Sequence, residues 1–149
     1  MKPEVGQAAP KFKTKDQDGH SVSLSLYKGQ RVILYFYPED DTPTCTQEAC
    51  TFRDHYAELK TLGYVILGVS PNSVAQHRKF ADKYQLPFTL LADEDMAIIH
   101  AYGVWGPKKL YGREYDGILR TIFVIDERGI IEKVVHRVLS KKAVQQVLK

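Results

Sequence analysis

Two cysteines, Cys45 and Cys50, are the only ones in the chain, and four residues separate them. They follow an apolar run, Val32 to Tyr37, within the stretch YPEDDTPTCTQEAC. Four roles are open to such a pair: a structural disulfide, half of a metal site, packing in a core, or redox chemistry. The spacing of the two thiols and the elements around them decide among these roles.

Cys45 is placed where a helix is expected to begin. The run from Val32 to Tyr37 has the composition of a buried central strand, Pro38 ends it, and Pro43 suits a first helical turn. Unpaired backbone N–H groups and the helix dipole stabilise an anion in that turn, so a thiol there ionises more readily than a free one. Position alone favours a thiolate nucleophile, with a small buried hydrophobe as an equal alternative.

Cys50 lies five residues further along the same expected helix. Regular helix geometry puts the two Cα atoms ~8.6 Å apart, which exceeds the roughly 7 Å limit for a disulfide. The two thiols can therefore bond only if the first turns unwind, which suits a switching disulfide better than a structural one. Two cysteines supply only half of a tetrahedral metal site, and the histidines show no recognisable ligand spacing. We expect no metal and no cofactor.

Length and composition set limits on the whole chain. The 149 residues fit one domain, residues 1–149, with a hydrophobic fraction of 44% and a charged fraction of 26%. The net charge is +3 and the basic residues are scattered, so nucleic-acid binding is not indicated. No apolar run has the length of a membrane span, and the N-terminus lacks the hydrophobic stretch of a signal peptide. We therefore expect a cytoplasmic protein without membrane contact, where a purely structural disulfide is disfavoured.

The elements that must position these thiols follow from the periodicity of the chain. A hairpin turning at Asp18–Gly19 comes first. Two strand–helix steps follow: VILYFY with a helix from Pro43 to about Leu62, and YVILGVS with the helix VAQHRKFADKY capped by Ser73. A short strand in FTLLAD and a short helix in EDMAIIHAYG come next.

The last third of the chain predicts a hairpin in RTIFVIDERGIIEKVVH and a terminal helix capped by Ser140. The glycine-rich segment before it, which contains Trp105 and Tyr111, is interpreted as a loop. Two βαβ-like steps followed by an antiparallel hairpin predict an α/β fold. The order fits a thioredoxin-like mixed sheet flanked by helices, with an N-terminal β-hairpin.

The residues around the two cysteines resemble a known family. The pattern Pro38-x-x-x-Thr42-x-x-Cys45 is similar to the active-site motif of the peroxiredoxins. The longer run YPEDDTPTCTQEACTFRD resembles their Q-type subfamily, also called bacterioferritin comigratory protein, as do GQAAPKF, KGQRVILYFYP and YGVWGPKKLYGREYDGILRTIFVID. The resemblance covers essentially the whole chain. Departures such as Thr44, where the subfamily often has glycine, remove no catalytic group.

The resemblance implies a thiol-dependent peroxidase that reduces hydrogen peroxide and organic hydroperoxides. Cys45 would attack the peroxide and become a sulfenic acid, which Cys50 would resolve as an intramolecular disulfide. Thr42 would hold the peroxide, Arg120 would lie beside the thiolate, and Pro38 would shield Cys45 from water. Their respective structural alternatives are a helix cap, a surface ion pair and a strand terminator.

The resemblance also implies partners. A hydroperoxide is the substrate, a thioredoxin-like dithiol protein is the reductant, and a monomer suffices because the resolving cysteine is internal. A general disulfide reductase and a redox-sensing or chaperone-like binding protein are the alternative functions, and Thr42 argues against the reductase because a reductase needs no peroxide-binding hydroxyl.

We expect Glu48 to be exposed rather than paired with Arg120, and Trp105 and Tyr111 to be the best candidates for a substrate groove.

Overall fold

A seven-stranded mixed sheet forms the centre of the computed structural model, which describes residues 2–149 apart from the side chain of Leu110. Its strands are β1 (Lys13–Asp16), β2 (Ser21–Ser23), β3 (Arg31–Phe36), β4 (Tyr64–Ser70), β5 (Thr89–Ala92), β8 (Thr121–Ile125) and β9 (Ile131–Val135). Their order across the sheet is β2-β1-β5-β4-β3-β8-β9. Strands β3, β4 and β5 are parallel, and β1, β2, β8 and β9 pair antiparallel with their neighbours. The predicted α/β class, mixed sheet and N-terminal hairpin are confirmed.

Helices cover both faces of this sheet. They are α1 (Pro43–Asp54), α2 (Tyr56–Thr61), α3 (Val74–Tyr84), α4 (Ala97–Ala101) and α5 (Ala143–Leu148), with 3-10 turns at Leu24–Tyr27 and Ser140–Lys142. Side chains of α1, α2, α3 and α5 join one core cluster, and those of α4 and the N-terminal segment join the other. Within the described residues, no helix has the length and apolar character needed to cross a membrane.

Strand β3 begins with the partly exposed Arg31, and the run from Val32 to Tyr37 that follows is apolar because both of its faces are covered. Alternate side chains enter opposite core clusters: Ile33, Tyr35 and Tyr37 on the side of α1, and Val32, Leu34 and Phe36 on the side of α4. All six are at most 1% exposed. The connection to α1, which carries the two cysteines, therefore starts from a strand that is packed in the middle of the molecule.

Helix α1 begins at Pro43 as predicted, but it ends at Asp54 instead of continuing to Leu62. His55 leaves the helical region, with φ −108° and ψ 13°, and a separate short helix, α2, follows it. The Nδ1 atom of His55 lies 2.9 Å from the carbonyl oxygen of Thr51. A side chain that competes with the backbone for a helical carbonyl favours a break, a local effect that apolar periodicity does not report.

The segment interpreted as a loop is a two-stranded hairpin, β6 (Trp105–Leu110) and β7 (Arg113–Ile118). Its turn consists of Tyr111 and Gly112, both with positive φ (51° and 77°). Two central residues with positive φ match the twist of a hairpin, but tyrosine is an unusual residue for that position. Gly106 and Pro107 within β6 also suggested a loop, yet a strand at the edge of a ribbon tolerates proline.

The predicted caps have different outcomes. Ser73 caps α3 as predicted, because its hydroxyl accepts from the backbone N–H of Gln76 while the Gln76 side chain accepts from the N–H of Ser73. Ser140 does not cap α5. It begins a 3-10 turn, α5 starts three residues later, and the Ser140 hydroxyl is buried without a partner among the described residues.

Candidate active site

Cys45 lies in the first turn of α1, as the sequence predicts, and its side chain is 2% exposed. It belongs to the core cluster on the α1 side of the sheet, together with Tyr35, Tyr37 and Phe52. The backbone N–H groups of the first helical turn have no partner within the helix, and the positive end of the dipole is there. The position combines exclusion of water with a local preference for negative charge.

Arg120 immediately precedes β8 and contacts Cys45. The antiparallel register pairs Thr121 with Phe36, so residue 120 comes level with the chain that leaves β3 for α1. From there Nη2 of Arg120 donates to Sγ of Cys45 at 3.2 Å. The same guanidinium donates through Nη1 to Oε1 of Glu48 at 2.7 Å, and its side chain is only 17% exposed. A cation is therefore held directly against the buried sulfur.

Glu48 is fully buried, and the expectation that it is exposed is wrong. Its position in α1 is the reason: it lies three residues after Cys45 and four before Phe52, which places all three on one helix face. That spacing is the feature of the sequence that could have predicted the burial of Glu48. Burial raises the pKa of Glu48 to about 7, and the attraction of Arg120 only partly opposes the rise. Its second oxygen, Oε2, has no hydrogen-bond partner among the described residues.

Arg120 stays charged between these two groups. Burial acts to lower its pKa, but the negative charges of Glu48 and Cys45 and the hydrogen bonds to them outweigh burial and raise it. Guanidinium is also the side-chain cation least easily deprotonated. The arrangement can stabilise a thiolate at Cys45 and negative charge that develops on an atom bonded to it.

Cys50 is on the same helix as Cys45, partly buried, and both thiols are free. Helix α1 is continuous from Pro43 to Asp54, so the Cα atoms of Cys45 and Cys50 keep the helical separation given above. Burial raises the pKa of Cys50, which keeps this thiol protonated at neutral pH.

Thr42 and Pro38 lie in the connection between β3 and α1. Thr42 occupies the N-cap position, but its side chain makes no cap bond, and its hydroxyl donates to the carbonyl of Glu39 at 3.3 Å. Pro38 is half-buried directly after the buried Tyr37. Neither residue is hydrogen-bonded to Cys45 within the part of the chain that the structure describes. The side-chain cap considered for Thr42 is not formed.

Asp40 anchors this connection to the rest of the protein, and sequence reasoning missed it. Its carboxylate accepts from the hydroxyl of Tyr37 at 2.5 Å and lies 2.6 Å from Nδ1 of the buried His77. Its backbone N–H donates to Oδ1 of Asn72 at 2.9 Å. His77 lies on the inward face of α3, three residues before Phe80, which is the one signal that its ring points into the protein. These bonds hold the approach to Cys45 in place.

Asp16, Asp18 and His20 come together at the β1–β2 turn, with potential ligand atoms within 4.8 Å of one another. Their carboxylates already have partners. Oδ1 of Asp16 accepts from the backbone N–H groups of Asp18 and His20, and Asp18 forms a salt bridge with Arg78. The cluster is explained by the turn, and we assign no metal to it.

The two proposed groove aromatics are both on the hairpin. Trp105 is 41% exposed, and its ring lies 6.2 Å from that of His100. Tyr111 is 96% exposed at the tip of the hairpin. Trp105 is opposite Ile118 at the base of the hairpin, two residues before Arg120, whereas Tyr111 lies in the turn at the other end.

A mixed sheet flanked by helices holds a water-excluded cysteine at a helix N-terminus beside an arginine, which is the arrangement expected of a thiol-dependent oxidoreductase. Residues 5–134 match the AhpC/TSA family, and the chain belongs to that family. It is 49% identical over 148 residues to a putative peroxiredoxin bcp of Coxiella burnetii, covering 99% of this chain and 98% of the relative. It is 46% identical over 145 residues to peroxiredoxin Bcp of Bacillus subtilis, covering 97% and 92%.

A solved structure of Xanthomonas campestris peroxiredoxin Q superposes with a TM-score of 0.86 at 32% identity, covering 92% of this chain and 87% of that one. The resemblance to the Q-type subfamily and the thioredoxin-like fold are thereby confirmed. The protein is an enzyme, a thiol peroxidase of the peroxiredoxin class.

Proposed function

We propose that the enzyme reduces hydrogen peroxide and organic hydroperoxides with Cys45 as the attacking thiolate and Cys50 as the resolving thiol. The observation that carries this proposal is the 3.2 Å contact between Nη2 of Arg120 and Sγ of Cys45 in a buried site at a helix N-terminus. A thiolate is the nucleophilic form of cysteine. Of the two thiols, Cys45 is the one that accepts a hydrogen bond from a guanidinium.

The first step converts the thiolate to a sulfenic acid. The sulfur of Cys45 attacks the terminal oxygen of the hydroperoxide, an S–O bond forms, and the O–O bond breaks. The two electrons come from sulfur, and the leaving alkoxide or hydroxide takes up a proton to become an alcohol or water. Negative charge moves from sulfur to the leaving oxygen, and Arg120, which carries a fixed positive charge, stabilises both positions.

The second step resolves the sulfenic acid. The thiol of Cys50 attacks the sulfur of Cys45, a disulfide forms, and the hydroxyl leaves as water. A thioredoxin-like dithiol then supplies two electrons by thiol–disulfide exchange, which restores both thiols and leaves the partner as a disulfide. Because Cys45 and Cys50 are on one helix of one chain, we propose that a monomer carries out the whole cycle.

Thr42 and Pro38 are proposed to serve the first step. The Thr42 hydroxyl, now bonded to the Glu39 carbonyl at 3.3 Å, is at the helix start one turn from Cys45 and would turn to hold the peroxide. Half-buried Pro38 would limit the access of water to the sulfur. We further propose that residues 1–149 form one domain. We propose a cytoplasmic localisation, because dithiol reductants are abundant in the cytoplasm.

The test is an assay in which peroxide-dependent oxidation of NADPH is followed with thioredoxin and its reductase supplied. We expect turnover by the wild-type enzyme, none by Cys45→Ser, and one oxidation without efficient recycling by Cys50→Ser, because a hydroxyl cannot replace either sulfur. Stoichiometric oxidation of the wild type without turnover would favour a redox sensor. Full turnover by Cys45→Ser would place the chemistry elsewhere.

A further inference from the structure

Lys108 lies on the inward face of the β6–β7 hairpin. Burial alternates along β6: Lys108 is partly buried, whereas its neighbours Pro107 and Lys109 are exposed. The register sets Lys108 opposite Tyr115, and it sets Lys109 opposite Glu114. Adjacent residues of a strand point to opposite faces. Lys108 and Lys109 are neighbours in the chain, but they lie on opposite faces of the hairpin, one partly buried and the other exposed.

The side chain of Lys108 runs toward the active site. A Cβ built on Gly117 would lie 3.1 Å from Cδ of Lys108 and 3.3 Å from the ring of Tyr115. The lysine stem therefore crosses diagonally from its partner Tyr115 to lie over Gly117. Along β7, Gly117 is two residues nearer to Arg120 than Tyr115 is. At the base of the hairpin, the N–H of Leu119, the residue before Arg120, donates to the carbonyl of Val104 at 2.6 Å. This bond holds the base of the hairpin beside Arg120.

The pKa of Lys108 is influenced by both Arg120 and Cys45. Burial and the positive charge of Arg120 lower the pKa of Lys108, while the negative charge of Cys45 acts in the opposite direction. Within the described part of the chain, Lys108 forms no salt bridge and no side-chain hydrogen bond. Arg120, by contrast, is already bonded to Cys45 and Glu48. A partly desolvated ammonium with open donors is stabilised by an anion.

We propose that Lys108 binds a negatively charged group of the substrate, so that hydroperoxides carrying a carboxylate are preferred over neutral hydroperoxides of the same shape. The proposal rests on the proposed function, since Cys45 must be the thiol that meets the peroxide end. Tyr115, 45% exposed beside the lysine stem, offers an aromatic surface for the organic part of such a substrate. Lys108 is thus a specificity-determining residue, and Arg120 acts on the reacting atoms.

Cumene hydroperoxide and its para-carboxylate analogue provide a matched pair of substrates that differ in one charge. The quantity to measure is the ratio of kcat/KM for the carboxylate to kcat/KM for the neutral compound. We expect Lys108→Met to lower this ratio about tenfold, the scale of one hydrogen bond to a charged group. Lys108→Arg should keep most of the preference. Lys109→Met removes the same charge from the opposite face and should leave the ratio unchanged.

Alkylation gives a second readout that does not need peroxidase turnover. Iodoacetate carries a negative charge and iodoacetamide does not, and both react with the Cys45 thiolate. We expect the ratio of the two rates to fall several-fold in Lys108→Met, but not in Lys109→Met. The single variant Cys50→Ser serves as the background, so that only one thiol is alkylated.

Two results would overturn the proposal. One is an equal loss for both substrates in Lys108→Met, which would make Lys108 a support for the thiolate. The other is an unchanged ratio for both substrates and both alkylating reagents. If the wild-type enzyme reduced neither hydroperoxide, the proposed function would fail, and the alkylation ratio would still decide whether Lys108 binds anions.

Discussion

At the residue scale, the proposed chemistry depends on the charges of three side chains in contact. Cys45, Arg120 and Glu48 form a buried row in which one guanidinium contacts both a thiol sulfur and a carboxylate oxygen. Buried ionic groups depend strongly on their partners, because removing one leaves the others without compensation. Each member of the row is therefore expected to affect the others measurably.

Arg120→Ala is expected to slow the peroxide step about 100-fold, the scale of losing one positioned electrostatic donor. The same change should shift the alkylation of Cys45 by iodoacetamide to higher pH, because the thiolate loses its cation. Stopped-flow oxidation and the pH dependence of alkylation measure the two effects. Arg128→Ala, with a side chain that is 83% exposed, is the matched control. Normal kinetics together with an unshifted profile would remove Arg120 from the site.

Glu48 is expected to make the stability of the protein depend on pH. Its pKa is about 7 in the folded protein, above the ordinary value of 4.5, so the folded state binds more protons between these values. Stability from this group is therefore full below about pH 4.5 and falls as pH rises to about 7, by roughly 3 kcal/mol. Glu48→Gln should remove this decline.

The measurement is the free energy of unfolding by denaturant at pH 5 and pH 8 for the wild type and Glu48→Gln. The exposed Glu58 of α2 provides the control variant, Glu58→Gln, which should retain the wild-type pH dependence. An identical pH dependence in Glu48→Gln and the wild type would contradict the effect assigned to burial.

Helix α1 is the element that must change during the proposed cycle. Its ends are fixed to α3: Asp41, before the helix, forms a salt bridge with Lys83, and Arg53, near its end, donates to the carbonyl of Tyr84 at 2.9 Å. Between these attachments, regular helix geometry puts the Cα atoms of Cys45 and Cys50 ~8.6 Å apart, beyond the roughly 7 Å Cα–Cα limit for a disulfide. Disulfide formation therefore requires unwinding of the helix between its two attachments.

We expect faster amide exchange across residues 43–52 in the oxidised protein than in the reduced protein, because this segment loses its helical hydrogen bonds. Hydrogen exchange read by mass spectrometry measures it, with β3 as the internal reference. Cys50→Ser should also accumulate sulfinic acid at Cys45 under peroxide, since its sulfenic acid is not resolved. Equal protection of both forms, with the intramolecular disulfide verified, would exclude unwinding.

At the scale of the whole molecule, the two strands that flank the proposed site belong to one sheet. Strand β3 leads to α1, β8 follows Arg120 directly, and both are buried side by side. The hairpin β6–β7 is continuous with β8 through Leu119 and Arg120. The proposed single domain therefore predicts that the hairpin and the sheet unfold together.

Phe123→Ala, in the fully buried centre of β8, tests this cooperativity. We expect a loss of about 3–5 kcal/mol in stability, seen equally by far-UV circular dichroism and by fluorescence of Trp105, the single tryptophan. Leu26→Ala, at a site 63% exposed, should change stability little. A separate transition reported by Trp105 alone would show that the hairpin is an independent unit.

Local signals were sufficient for much of the fold. The apolar run of β3, the proline at the start of α1, the glycine turns of two hairpins and the capping box at Ser73 are all short-range features, and the structure contains each of them. The hairpin β6–β7 was missed because its turn uses Tyr111 at positive φ, a conformation that the residue type does not indicate. The break at His55 was missed for a similar reason, since it depends on one side-chain contact.

The sequence by itself determined which thiol begins a helix and how far the second one lies from it, because both follow from helix geometry over a few residues. The contact between Arg120 and Cys45 joins residues 75 positions apart, and only the pairing of β3 with β8 produces it. The burial of Glu48, and with it a carboxyl pKa near neutrality, likewise depends on packing against the sheet. Spacing along the chain determines local geometry, whereas burial and long-range register determine the charge state of the groups brought together.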